Sequence, residues 1–185
     1  MRNLMTCLLL LFSTGAIADD ESLWAALRAG GHVALMRHAP APGIGDPAGF
    51  VLGDCSTQRN LSPAGRAQAA TTGERLRAQG ITRATIHSSR WCRCLDTARL
   101  LGLGPVIPTP ALDSFFNERD HAAERSAAVR ALVRDADTAA GPLILVTHQV
   151  NITALSGVYP ASGELVVMRI AGDALELAGR IQPLP

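Results

Sequence analysis

Two short apolar runs each end against a histidine. His32-Val33-Ala34-Leu35-Met36 leads into Arg37-His38, and Leu143-Ile144-Leu145-Val146-Thr147 leads into His148. Runs of this kind, apolar without alternation, suit strands buried on both faces, as in parallel sheets whose two sides are covered by helices. A third candidate strand is Ala84 to His87. The intervening segments have helical spacing. Ser62 with Pro63 makes an N-cap and first-turn pair for a helix through Arg66, Gln68 and Leu76, stopped by Gly80. A second helix is expected from about Trp91 to Leu101, with Trp91, Cys94, Leu95 and Ala98 on one face and Gly102 at its end. A third carries Val129, Leu132, Val133 and Ala136. Pro40 to Gly53, rich in Gly and Pro, reads as a loop, and Glu164 to Ile170 with Ala174 to Ile181 as a closing hairpin. This alternation predicts an α/β domain with a mostly parallel sheet.

At 185 residues, 48% hydrophobic and 18% charged, the chain has the length of one globular domain. Arg2, the apolar stretch Leu4 to Ile17 and Ala16-Ile17-Ala18 before Asp19-Asp20 form the three parts of a secretory signal peptide. Residues 1–18 are therefore expected to be a cleaved leader, residues 19–185 the single domain, and the location periplasmic or secreted. The stretch is shorter than the roughly 20 apolar residues of a spanning helix, so no stable membrane insertion is expected after cleavage. All 17 basic residues are arginine, and without Arg2 the remaining 16 face 16 acidic residues. Such a neutral chain lacks the basic character of a general nucleic-acid or membrane-surface binder.

Export also decides how the cysteines read. Cys55, Cys92 and Cys94 remain after cleavage, an odd number that predicts one disulfide and one free thiol. The pairing expected is Cys55 with Cys92 or Cys94, because residues two apart on a helix point to nearly opposite faces. A zinc set of these three with His87 matches no common ligand spacing.

Parallel strands joined by helices bring their C-terminal ends to one edge, where ligands bind in open α/β sheets. Arg37-His38, Ser88-Ser89 with Arg93, and His148 all follow candidate strands. Two histidines and two arginines on one edge suit phosphoryl transfer, in which positioning and charge stabilisation dominate. Guanidinium forks donate paired hydrogen bonds to phosphate, and a neutral imidazole can attack phosphorus.

From about Val33 to Val167 the chain resembles the histidine phosphatase superfamily. Leu35-Met36-Arg37-His38-Ala39 is similar to its Arg-His-Gly signature, with Ala in place of Gly. Asn60-Leu61-Ser62-Pro63-Ala64-Gly65-Arg66 is similar to its first-helix start. Ser88-Ser89-Arg90-Trp91-Cys92-Arg93-Cys94-Leu95-Asp96-Thr97-Ala98 aligns without gaps on its Ser-Ser-x-x-x-Arg-x-x-x-Thr-Ala segment, and Val146 to Ile152 fits its second-histidine motif. The His148-Gln149-Val150-Asn151 run resembles the sub-group of lipopolysaccharide core heptose(II)-phosphate phosphatases. The resemblance implies a three-layer αβα sandwich of the phosphoglycerate mutase-like kind. It also implies a phosphomonoesterase with His38 as nucleophile, Arg37 and Arg93 as phosphate forks and His148 as a donor to the transferring oxygens. The scheme needs no metal or other cofactor.

The proton donor is where the match is incomplete. Histidine acid phosphatases carry an acid directly after the second histidine, and Gln149 cannot donate as a carboxylic acid does. Mutase-like members use a glutamate after the middle strands, which makes Glu118 in Asn117-Glu118-Arg119-Asp120 the expected general acid, ahead of Asp113 and Asp54. Arg59, Arg90 and Asn151 are candidate substrate-binding residues, although Asn151 is better suited to capping a helix. Gly43-Ile44-Gly45-Asp46-Pro47 lacks the strand-to-helix context of a phosphate loop. His32, His87 and His121 read as structural or surface residues. The expected partner is a phosphorylated small molecule or envelope sugar phosphate, met by a monomer. The competing expectation is a non-catalytic phosphate-sugar or envelope-binding module on the same fold.

Overall fold

The fold is taken from a computed structural model, which describes residues 19–137 and 141–184. The expected leader lies outside the described residues. Four strands, His32–Arg37 (β1), Thr85–Ser88 (β2), Val106–Pro108 (β3) and Leu143–Thr147 (β4), run parallel, and a hairpin adds Leu165–Ala171 (β5) antiparallel to β1 and Ala174–Ile181 (β6) antiparallel to β5. Together they form one sheet in the order β3-β2-β4-β1-β5-β6. The two apolar runs that end in histidine lie side by side at its centre, with Arg37 paired to Thr147 in register. All of Leu143–Thr147 is buried, as a strand covered on both faces must be.

Side-chain alternation sorts the sheet into two cores. Ala34, Met36, Ile144 and Val146 pack with Leu23, Trp24 and Leu27 of Asp20–Ala29 (α1), Leu76 of Pro63–Ala78 (α2) and Ala98 of Cys92–Leu100 (α3). On the other face Val33, Leu35, Leu143 and Leu145 pack with Val129 and Val133 of Ala122–Asp135 (α4) and Ile152 of Gln149–Ser156 (α5). The result is the expected three-layer αβα arrangement. Each Leu, Val or Ile buried this way contributes about 1.5–3 kcal/mol, so the two cores, not local propensity, hold the helices in place.

Helix α1 and the short strand β3 have no counterpart in the sequence reading. The helix follows the expected leader in sequence, yet Asp19 caps it through the Ser22 amide at 2.8 Å and it buries Leu23, Trp24 and Leu27. The strand is only three residues long and ends at Pro108, too short to show a period. Elsewhere the expected elements appear within a residue or two, with Ser62 capping α2 through the Gly65 amide at 3.0 Å. Gly65 also permits a close approach: a Cβ there would lie 2.1 Å from the Pro40 carbonyl oxygen. Helix α2 thereby braces the chain two residues beyond His38. A disulfide joins Cys55 to Cys92, leaving Cys94 as a buried free thiol. That bond removes two members of the zinc set considered above.

Candidate active site

His38 leaves the end of β1 with its amide donating to the Thr147 carbonyl at 3.0 Å. Its Nδ1 lies 2.8 Å from the carbonyl oxygen of Ala39. A carbonyl can only accept, so the proton sits on Nδ1 and the lone pair is left on Nε2. The Ala39 amide in turn donates to Thr97 Oγ1 at 3.0 Å, and that hydroxyl donates to the Arg93 carbonyl at 2.7 Å. Thr97 of the Ser-Ser-to-Thr-Ala segment therefore anchors the backbone that orients His38. Burial pushes the His38 imidazole down to about 3; the Ala39 carbonyl opposes this, and Arg93, Arg59 and Arg37 add to it. The ring is neutral at neutral pH.

His148 closes β4 and sits at the head of α5, its ring centroid 5.6 Å from that of His38 and inclined at 70°. Burial, joined by Arg93, His38, Arg59 and Arg37, holds it well below the ordinary imidazole range. Its Nε2 is 2.8 Å from Ser89 Oγ, which lies 3.3 Å from Asp113 Oδ1. Asp113 accepts from the Arg90 amide at 2.9 Å and from Arg90 Nε at 2.8 Å, while Asn151 Nδ2 donates to the Asp113 carbonyl at 2.9 Å. Two of the residues expected to bind substrate thus hold Asp113 behind His148. Arg90 still reaches the pocket wall, whereas Asn151 is buried away from it, and the head of α5 falls at His148 rather than at Asn151.

Three guanidinium groups surround His38. Arg37 donates from Nη1 to the Pro160 carbonyl at 2.8 Å, and Arg59 donates to the carbonyls of Gly45 at 2.7 Å and of Ala41. Neither forms an ion pair with a carboxylate among the described residues. Arg93, 3% exposed, is paired with Asp46: Nη1 to Oδ1 at 2.6 Å and Nη2 to Oδ2 at 3.2 Å. Trp91 Nε1 donates to the same carboxylate at 3.0 Å. Three arginines thus make the surroundings of the neutral His38 ring positive. In addition, the Nε groups of Arg37 and Arg93 are buried without a hydrogen-bond partner among the described residues. Unused buried donors of this kind cost about 1–3 kcal/mol each and call for an explanation in function.

These groups line a cavity of about 550 Å³, with Glu118 and Arg125 on its outer wall. Glu118 is 62% exposed and stands 3.5 Å from His121. The loop between β1 and α2 forms the opposite wall and is fastened in several ways. Phe50 stacks on Trp91 at 5.1 Å, Gln58 Oε1 accepts from the Cys92 amide at 2.9 Å, and the Cys55–Cys92 disulfide ties the loop to the start of α3. The structure brings together His38, Arg37, Arg93, His148, Arg59, Arg90 and Glu118 around this cavity. Asp46, within the set-aside Gly43 to Pro47 stretch, and Ser89, placed after a candidate strand but given no role of its own, also belong to this arrangement. A lone acid in a Gly-rich loop has no signal of its own; Asp46 matters only because the loop folds back over Arg93.

Comparison with known proteins follows the same outline. The model of the histidine phosphatase superfamily (branch 1) matches residues 33–123. No curated protein sequence matches the chain at a significant level. Among solved structures, the protein histidine phosphatase SixA complexed with tungstate superposes with a TM-score of 0.57 at 14% identity, covering 82% of this chain and 97% of that one. A SixA described as a phosphohistidine phosphatase from Agrobacterium tumefaciens gives 0.53 at 20% identity, covering 83% and 97%. A mycobacterial glucosyl-3-phosphoglycerate phosphatase in complex with VO3 gives 0.54 at 18% identity, covering 74% and 92%. At these identities the likeness is one of fold.

Proposed function

We propose that the chain, which the histidine phosphatase superfamily model matches over residues 33–123, is an exported phosphomonoesterase working through a phosphohistidine on His38. The observation that carries this reading is the His38 ring, whose Nδ1–H is spent on Ala39 and whose Nε2 is unprotonated among three arginines. Nε2 attacks phosphorus, the ester P–O bond breaks, and water then cleaves the P–N bond to release phosphate. Arg37, Arg59 and Arg93 offset the charge on the equatorial oxygens, and His148, steadied by Ser89, faces the same oxygens. Export is supported by the signal-like residues 1–18 and by the disulfide, a bond that persists in oxidising compartments. The substrate class is a phosphorylated small molecule, with an envelope sugar phosphate such as a heptose phosphate as the favoured case. Polar groups on the outer wall, including Asn117, Gln149 and Arg125, suit sugar hydroxyls, and one neighbour of like fold is named for a glycosylated phosphate ester.

The test uses the protein without residues 1–18, p-nitrophenyl phosphate and a panel of sugar phosphates. Wild type should turn over the chromogenic ester and keep a phosphoryl group on His38 after an alkaline denaturing quench, under which the P–N bond survives, and His38→Ala should lose both. Tight phosphate binding with no turnover and no label would replace the enzyme with the binding module considered from the sequence.

A further inference from the structure

A phosphomonoesterase needs a group to protonate the departing oxygen, and the cavity offers three carboxylates. Asp113 is committed: it receives the Arg90 amide and side chain together with Ser89, and it is 3% exposed. Glu118 stands at the rim, 62% exposed and beside His121, where water competes for any proton it carries. Asp46 lines the cavity with His38 and Arg93, and its side chain is 17% exposed.

Its position is fixed by more than its ion pair. Trp91 Nε1 holds Oδ2, the Arg59 side chain holds Gly45 and Ala41 on either side of the loop turn, and the disulfide fastens the loop downstream. Precise placement is what proton transfer requires, since a donor must stay within hydrogen-bond reach of the reacting oxygen.

We propose that Asp46 is the general acid and base of this site, in place of Glu118. The proposal rests on the phosphohistidine reading. In the free enzyme the Asp46 carboxylate occupies the Arg93 fork. Burial raises the pKa of its carboxyl, but Arg93, Trp91 and the Arg59 amide outweigh burial and keep it low. A substrate monoanion takes over the fork and hands its proton to the displaced carboxylate, which has lost a cation and gained an anionic neighbour. His38 Nε2 then bonds to phosphorus as the ester P–O bond breaks, and the Asp46 carboxyl proton goes to the leaving oxygen, giving the alcohol. In the second half the Asp46 carboxylate takes a proton from the attacking water as the P–N bond breaks, and the phosphate monoanion leaves with that proton. Over the cycle a phosphate monoester and water become an alcohol and inorganic phosphate, with His38 and Asp46 restored.

The experiment compares p-nitrophenyl phosphate, whose leaving group needs little protonation, with phenyl phosphate, whose leaving group is more basic. In Asp46→Asn, kcat/KM, which reports the steps up to loss of the alcohol and not the hydrolysis common to both esters, should fall about 10²-fold more for phenyl phosphate than for p-nitrophenyl phosphate, within the usual range for loss of an acid catalyst. Asp46→Glu should recover part of that difference, and Glu118→Gln should keep the wild-type ratio of the two rates. Melting curves and alkaline-quench labelling of His38 establish that Asp46→Asn is folded with its nucleophile intact. An unchanged ratio in a folded Asp46→Asn, a parallel loss with both esters, or the selective loss appearing in Glu118→Gln instead would overturn the assignment. Failure of the wild type to label His38 would overturn the phosphohistidine reading itself.

Discussion

His38 donates to the carbonyl of its own neighbour, Ala39, and that one contact decides its chemistry. With the proton on Nδ1, Nε2 needs no base to free its lone pair. Ring nitrogen spectra of His38 should therefore show the Nδ1–H tautomer unchanged between about pH 7 and pH 4, because burial holds the ring neutral down to about 3. A titration near the ordinary value of about 6.5 would count against this arrangement. Of the residues of the candidate site, His38, Arg37, Arg93 and His148 were legible in the sequence because each closes or directly follows a buried strand or sits in the first turn of the helix after it. Arg90 and Asn151 were legible as polar residues near the site but not in their contacts, which lead to Asp113 and not to the centre of the cavity.

At the scale of elements, the loop between β1 and α2 is the wall whose position sets the site. Cys55 and Cys92 are 37 residues apart, and closing a loop of that length stabilises a fold by about 2–4 kcal/mol. Replacing both cysteines by alanine should lower the melting temperature by about 5–15 °C for a chain of this size. The same variant should raise KM for p-nitrophenyl phosphate more than it lowers kcat, because Arg59 loses part of its support while His38 keeps its own. Melting curves and steady-state kinetics check the two halves, and an unchanged melting temperature would show that the loop is held by Phe50, Gln58 and Arg59 alone. The central strands and α2 to α4 were readable from apolar runs, caps and helical period. Helix α1 and strand β3 were not: one follows the expected leader in sequence, and the other is shorter than a period can be read from.

For the whole molecule, two histidines are kept neutral inside the fold and free to ionise outside it. Below about pH 6.5 the unfolded chain binds protons at positions 38 and 148, while the folded chain binds none at His38 until about pH 3. The unfolded state thus holds more protons in that window, so stability is full above it and is lost as the pH falls. Asp46, lowered in the fold, acts in the same direction at the lower end of the window. The melting temperature should be lower at about pH 4.5 than at pH 7, and His38→Ala should narrow the gap. An equal gap in the variant would assign the acid sensitivity to other groups.

What the sequence determined by itself was the architecture and the kind of chemistry. Apolar runs without alternation must be buried on both faces, parallel strands must end on one edge, and the residues that follow those strands are then neighbours whatever the loops do. What only the tertiary structure decided were the partners of the charged groups. Asp46 and Arg93 are 47 residues apart, and Ser89 and His148 are 59 apart. Ion pairs and hydrogen bonds carry no periodicity along a chain, so the pairing of Asp46 with Arg93, and with it the proposed proton donor, emerges only when the loop closes over the sheet edge.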